Sequence, residues 1–399
     1  MTTMPRRVMI FAMAFPPSAV GTGIYAQRLA RGLAEKGVEL LVLTTGDGEE
    51  CASFDRGQPY RTVRMPATEF VPHRYLLAWK WLRRTLREFR PDVLWTTNGM
   101  ATRVVGLLGN LPDLETAVVS CVRGSDIVTR LPGWGLWKRL ESVPQRRCYK
   151  HSVAISAASE YMKKVAVAKG VNGEKIFVDP PAFDFGLLEN YRFDPERLWK
   201  KYPFVRERPV VLTVGRLSEQ KRVELAVRAV ARVVSKFPEL CHVVVGDGPR
   251  RDELRKLVGA LGLEENVFLV GTVPPMSAEL FDLFRWARVF LLPCVREGLG
   301  NVFLEAGAFG LPCVGVVDGG VPEVVRDGET GLLAAPGDVA DIGDKVTQLV
   351  EDVELARQMG WRAREWIEER FSVEVMVERN LRVLDEVMES GNAAQRRES

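Results

Sequence analysis

The chain reads as an α/β protein of two units, each a doubly wound parallel sheet. Three observations predict this. Short apolar runs alternate with amphipathic stretches of helical period, and the alternation starts, breaks once and starts again. A chain of 399 residues, 46% hydrophobic and 27% charged, also holds enough material for more than one core.

The first run, "VMIFAMAF", follows Arg6 and Arg7 as a secretory signal would. It ends at Pro16 and Pro17, lacks a small-residue cleavage site and leads into a helical pattern, so it is read as a buried first strand. A helix from Gly23 to Lys36 follows, then "VELLVLTT", the helix "RYLLAWKWLRRTLREF", "DVLWTT", "TAVVSCV", and "SVAIS" entering "AASEYMKKVAVAKG". Residues 184–208 break the rhythm with charge, aromatics and prolines, and the hinge is placed there. "PVVLTVG" begins the second unit, followed by a helix from Lys221 to Phe237, "CHVVVG", "RRDELRKLVGALG", "VFLVG", "SAELFDLFRWA", "VFLLP", "NVFLEAGAFG" and "PCVGV". The expected domains are 1–190, 203–375 and a helix over 376–399 that crosses back to the first unit and frays at its polar end. Two such units imply a central cleft with ligands at the carboxyl ends of the strands.

Six scattered cysteines without CxxC spacing read as small buried thiols of a reducing compartment, with no metal site. No apolar run approaches the roughly 20 residues that span a bilayer. The expected location is cytoplasmic, at most peripheral at the inner face of a membrane. Net charge is +3, but residues 1–200 carry 29 Lys+Arg against 20 Asp+Glu and residues 201–399 carry 26 against 32, so the halves meet different partners. The basic residues form no nucleic-acid-reading motif.

Chemistry concentrates in the second half. In "VGRLSEQKR", Arg216 and Lys221 stand where a strand gives way to a helix, and helix N-termini favour anions; a guanidinium and an ammonium there suit two neighbouring phosphates. The alternative is solvated surface charge. "VVVGDGPRRDEL" is a further strand–glycine–helix turn, common for structural reasons alone. "EGLGNVFLE" places Glu297 on a loop and Glu305 about one turn inside a helix, with Gly298 and Gly300 between them and Asn301 as expected N-cap. Carboxylates accept hydrogen bonds and repel phosphate, so these two address hydroxyls. A diphosphate clamp beside two hydroxyl acceptors describes a nucleotide-sugar. The alternative has Glu305 complementing the helix N-terminus and Glu297 as a loop charge.

On "GRLSEQK", "GDGP", the Glu-x7-Glu pair Glu297 and Glu305, "GLPCVG" and "GGVPEVVRDGETGLLAAPGD", most of residues 209–375 resembles the retaining family 4 glycosyltransferases of the GT-B fold. The first half is similar more loosely, through "GTGIYAQRLARGLAEKGVELLVLT", "RPDVLWT" and "RGSDI". The resemblance implies two Rossmann-like domains facing a central cleft and transfer of a sugar from a nucleotide-diphosphate donor, UDP or GDP, to a glycan or lipid-linked acceptor. It implies that Glu297 binds the donor sugar, Glu305 the ribose, and Gly298, Leu299, Gly300 and Asn301 the sugar through their amides. Arg216 and Lys221 would neutralise the leaving diphosphate, the backbone near Val273 would read the base, and the Gly21 to Gly23 loop would approach the phosphates. Two cations and a helix dipole would stand in for a metal. Where many relatives carry a histidine, this chain has Arg123, expected on the acceptor side with Asp126 as its nearest ionisable neighbour; a buried Arg123–Asp126 pair is the alternative. His73, His151 and His242 match no active-site motif.

"HRYLLAWKWLRRTLREFR" and "WGLWKRLESVPQRR" are basic and aromatic enough to meet an anionic membrane, or are an amphipathic core helix and its solvated neighbour. Three other functions fit less. "GTGIYA" matches a dinucleotide fingerprint, but its approach is too long and holds two prolines. A retaining glycosidase, with carboxylates about 5 Å apart, leaves the phosphate clamp unused. A catalytically inactive sugar-nucleotide-binding subunit is the non-enzymatic alternative.

Overall fold

The computed structural model describes residues 6–17, 21–66, 71–108, 115–124 and 135–398. The chain divides into two compact units, Met1–Ala182 with Val373–Ser399, and Phe183–Ser372. Among the described residues each unit holds one parallel sheet with helices on both faces.

The first sheet comprises β1 (Arg7–Phe11), β2 (Glu39–Thr45), β3 (Arg61–Met65), β4 (Val93–Thr96), β5 (Ala117–Val122), β6 (Ala154–Ala157) and β7 (Ile176–Val178), in the order β3-β2-β1-β4-β5-β6-β7. β1 is central, which explains its unbroken apolar sequence. Val8 and Ile10 enter one core and Met9 and Phe11 the other, all four without exposed surface. The edge strands β3 and β7 do not stand out in sequence, because a strand paired on one side can keep polar residues such as Arg61 and Arg64.

The second sheet comprises β8 (Val210–Val214), β9 (Cys241–Val245), β10 (Val267–Gly271), β11 (Val289–Leu291), β12 (Cys313–Val316) and β13 (Gly331–Ala334), in the order β10-β9-β8-β11-β12-β13. The helix Val223–Val234 buries Val223, Ala226, Val227, Val230 and Val233, the stripe a 3.6-residue period puts on one face. In each sheet the winding reverses beside the central strand, β1 or β8. Ligands of such sheets gather at the strand carboxyl ends there.

Three boundaries differ from expectation. The first unit ends at Ala182 rather than 190, because the aromatic segment after it packs into the second. Tyr191 meets Phe281 and Phe309 at ring-centroid distances of 5.4 and 5.8 Å, and Arg197 forks onto buried Asp282 at 2.6 and 2.8 Å. The return falls at Val373: the helix Val373–Glu398 packs on the helix Gly21–Glu35 within the first unit, where Gly32 leaves room for Val377. The end expected to fray stays helical to Glu398, in keeping with the helix-forming "AAQRRE".

His242 lies in β9 with no exposed surface, its Nε2 2.9 Å from Thr213 Oγ1. The Thr213 hydroxyl proton goes to the Leu291 carbonyl, so Nε2 carries the imidazole proton and Nδ1 is without a partner. Burial pushes its pKa down to about 3. The unfolded chain therefore binds a proton that the folded one refuses, and stability present above pH 6.5 is lost as pH falls towards 3. Between pH 7 and pH 4 the loss from this residue is about 3 kcal/mol. Urea unfolding of His242→Gln should show a pH dependence shallower by that amount; parallel curves for variant and wild type would refute the assignment.

Candidate active site

Turns at the carboxyl ends of adjacent strands of the second unit assemble the site. After β8 the chain passes Gly215, Arg216 and Leu217. Gly215 donates to the Val245 carbonyl at 3.0 Å and Leu217 to the Asp247 carbonyl at 2.9 Å, which stitches this turn to the one after β9. The contact leaves no room for side chains: a Cβ on Gly246 would stand 2.0 Å from the Gly215 oxygen, and one on Gly248 2.4 Å from the Leu217 oxygen. The glycines of "GDGP" are thus required by packing of turn on turn. Gly246 also donates to the Gly271 carbonyl at 2.7 Å, bringing up the end of β10, with half-buried Val273 two residues beyond.

Lys221 was expected at a helix start. It lies instead on the single 3-10 turn Glu219–Lys221, and the helix begins at Val223 after Arg222, which is left-handed at φ 51°. That turn is stitched to the loop after β11, since Val295 donates to the Gln220 carbonyl at 3.0 Å and the Gln220 amide to the Arg296 carbonyl at 3.1 Å. The consequence is an ion pair. Lys221 Nζ stands 2.7 Å from Glu297 Oε2, the side chains 17% and 18% exposed, so both remain reachable from solvent. Burial lowers the Lys221 pKa; Glu297, Cys294 and Glu305 outweigh it, and the net shift is upward. The Cys294 thiol behind them is pushed by burial to about 12 and stays protonated.

The helix Asn301–Ala308 carries half-buried Glu305 one turn inside. Asn301 is not its cap: Gly300 takes the cap position with φ 98°, a conformation costly for asparagine and easy for glycine. Gly298 and Leu299 are buried in the loop before it. Close backbone contact seats this helix, as a Cβ on Gly360 would stand 1.9 Å from the Gly310 oxygen and one on Gly307 2.8 Å from Ile367 Cγ1. Arg216 is exposed, and its side chain makes no hydrogen bond or ion pair among the described residues. A separate hollow of about 550 Å³ beside β10, lined by Phe204, Arg255 and Phe268 among others, includes none of these groups.

In the first unit, Gly21 and Gly23 form the opening turn of the helix Gly21–Glu35; residues 18–20 before it lie outside the described residues. Asp126 also lies outside them. The Arg123 side chain is only 4% exposed and pairs with fully buried Asp179. Nη2 donates to Asp179 Oδ2 at 2.8 Å and to Ser156 Oγ at 2.7 Å, and Nη1 to the Asp179 carbonyl at 2.6 Å. The guanidinium lies 3.6 Å from the Tyr25 ring centroid; the Tyr25 hydroxyl and Asn380 also donate to Asp179. Burial raises the Tyr25 pKa well above its ordinary value, so the phenol stays protonated. Sequence reasoning missed Asp179, whose "VDPP" context carries no charge-pair signal. No group of three or more metal-ligating side chains that could hold a metal ion occurs among the described residues.

Two stretches match family models: residues 195–366 the glycosyl transferases group 1, and residues 20–182 the glycosyl transferase 4-like domain. The chain is 27% identical to N-acetyl-alpha-D-glucosaminyl L-malate synthase of Bacillus anthracis, over 90% of this chain and 92% of the relative. It is 29% identical to a GDP-mannose-dependent alpha-(1-6)-phosphatidylinositol monomannoside mannosyltransferase of Mycobacterium tuberculosis, over 90% and 93%. Among solved structures, HepE of Anabaena in complex with UDP and glucose superposes with TM-score 0.77 at 19% identity, over 96% of this chain and 100% of that one. Sucrose-phosphate synthase from Thermosynechococcus elongatus gives 0.79 at 18%, over the same shares.

The Arg123 network is a matter of stability. Asp179→Ala strands a buried guanidinium and should lower the unfolding free energy by about 3–5 kcal/mol in urea titrations. Arg123→Ala should fall in the same range. An Arg123→Ala protein of unchanged stability, altered only in acceptor KM, would return Arg123 to the acceptor side.

Proposed function

The chain belongs to the family 4 glycosyltransferases, of GT-B fold, and on that footing we propose that it transfers a sugar from a nucleotide-diphosphate donor with retention of anomeric configuration. The observation that carries this is the meeting of Lys221, Glu297 and Glu305 at the carboxyl ends of the second sheet, with exposed Arg216 on the neighbouring turn.

Cations and carboxylates have separate duties in this reading. Arg216 and Lys221 take the diphosphate, whose charge rises as the bond from the sugar's anomeric carbon to the β-phosphate oxygen breaks. Glu297 and the amides of Gly298, Leu299, Gly300 and Asn301 take the sugar, Glu305 the ribose, and the backbone at Val273 the base. The ion pair refines the scheme: Lys221 occupies Oε2 of Glu297, leaving Oε1 for a sugar hydroxyl, and the same ammonium links the sugar's anchor to the phosphate's. The acceptor oxygen attacks the face that the diphosphate leaves, and its proton passes to the departing phosphate oxygen. No histidine is needed for that step. UDP or GDP is the carrier in this reading. HepE crystallised with UDP and glucose, and the GDP-mannose-dependent relative, support the two carriers alike.

A lipid-linked acceptor is favoured by the helix Val71–Phe89. It buries Ala78, Leu82, Leu86 and Phe89 and exposes Leu76, Lys80, Arg83, Arg84 and Arg87, so the helix is amphipathic and its basic face supports contact with an anionic surface. Among the described residues no helix is long and apolar enough to cross a membrane. Contact through this face would be electrostatic. Vesicles with 30% phosphatidylserine should co-sediment wild type, and Lys80→Glu with Arg83→Glu should abolish this; equal sedimentation with phosphatidylcholine alone would refute it.

A thermal-shift panel of UDP-, GDP-, ADP- and TDP-sugars tests the donor site, since a ligand held by the native state raises the melting temperature. Glu297→Gln should keep nucleotide binding and lower transfer about a hundred- to a thousand-fold. Binding without turnover by the wild type, over a broad acceptor set, would favour the inactive subunit.

A further inference from the structure

Immediately after β12 the chain reads "VDGG", residues 317–320. These residues lie against the loop that carries Glu297. The Arg296 N–H donates to Asp318 Oδ1, and Arg296 is left-handed, with φ 53°. One residue on, the Glu297 carbonyl accepts from the Gly320 N–H at 2.9 Å. The surfaces between these bonds are bare backbone. A Cβ on Gly319 would stand 2.5 Å from the Glu297 oxygen and 2.7 Å from its nitrogen, and one on Gly320 2.4 Å from the Gly298 oxygen and 2.9 Å from Leu299 Cα.

A non-glycine residue keeps a positive φ only where its surroundings hold it there. Here the holding group is identifiable, since the carboxylate of Asp318 takes the very N–H that the Arg296 conformation presents. That conformation sets the direction in which the next residue, Glu297, leaves the backbone. A shift of about 1 Å in a group that orients a reacting sugar can cost about a hundredfold in rate.

We infer that Asp318, with Gly319 and Gly320, is a positioning element for the sugar-binding loop: it aims Glu297 and the amides after it without touching the donor. The inference deepens the proposed function, on the reading of Glu297 as the carboxylate that meets the sugar. Its specific content is a hydrogen-bond acceptor at 318. Asparagine can supply that acceptor through its own Oδ1; alanine cannot.

The test compares wild type, Asp318→Asn, Asp318→Ala and Gly320→Ala. UDP and GDP affinities are measured by calorimetry, and kcat and KM with UDP-glucose and GDP-mannose, using whichever pair the wild type turns over. Asp318→Ala and Gly320→Ala should lose at least about tenfold in kcat while nucleoside diphosphate affinity stays within about twofold. Asp318→Asn should stay within about threefold of wild type on both measures. The inference is overturned if Asp318→Ala matches wild type, if Asp318→Asn is as impaired as Asp318→Ala, or if diphosphate affinity and kcat fall together. A wild type that neither binds nucleotide nor transfers sugar overturns the reading of Glu297 itself, whereas an active wild type with an unimpaired Asp318→Ala removes the brace alone.

Discussion

Backbone lying directly on backbone at the carboxyl ends of the second sheet is the constraint on which the candidate site of this protein depends. Gly246 and Gly248 let the turn after β9 press on Gly215 and Leu217, and Gly319 and Gly320 let the turn after β12 press on Glu297 and Gly298. With side chains excluded, the turns align through N–H to C=O bonds, whose geometry tolerates little drift. The side chains that point outward, Lys221 and Glu297, are therefore delivered to within 2.7 Å of each other by contacts that include neither of them. Rigid placement of this kind lets a charged group stabilise a developing charge without first reorganising.

The first unit solves a related problem with charge. Asp179 has no exposed surface, and Arg123, the Tyr25 hydroxyl and Asn380 all donate to it. These groups come from the end of β5, from the helix Gly21–Glu35 and from the helix Val373–Glu398, elements far apart in sequence. A buried ion pair is a weak source of net stability but a strong penalty on any arrangement that leaves one partner alone. The network thus selects one packing of the returning C-terminal helix against the helix that opens with Gly21 and Gly23. It also engages Arg123, whose place in the motif had suggested a ligand contact, in a buried pair with its side chain 4% exposed.

Much of this was legible beforehand. β1 and β8 were visible because central parallel strands are buried on both faces and read as unbroken apolar runs such as "VVLTV". Lys221, Glu297 and Glu305 were legible because charge among strand-end glycines is unusual. β3 was not, since a polar edge strand such as "RTVRM" resembles a loop, and neither was the changeover at Ala182, since aromatics such as Tyr191 do not reveal which core receives them. Asn301 misled because the asparagine preference for caps is weaker than the demand of a left-handed cap for glycine, which Gly300 meets.

Local order in the chain therefore determined the class of fold, the two sheets and the charged residues gathered among strand-end glycines, because periodicity and turn chemistry act over a few neighbours. Pairings across long separations were decided by tertiary structure alone: Lys221 with Glu297, Arg123 with Asp179, and Asp318 beneath Arg296. The physical reason is that a charge or a buried N–H is satisfied by whichever group packing brings within about 3 Å, and that distance is set by the sheet order, not by separation along the chain.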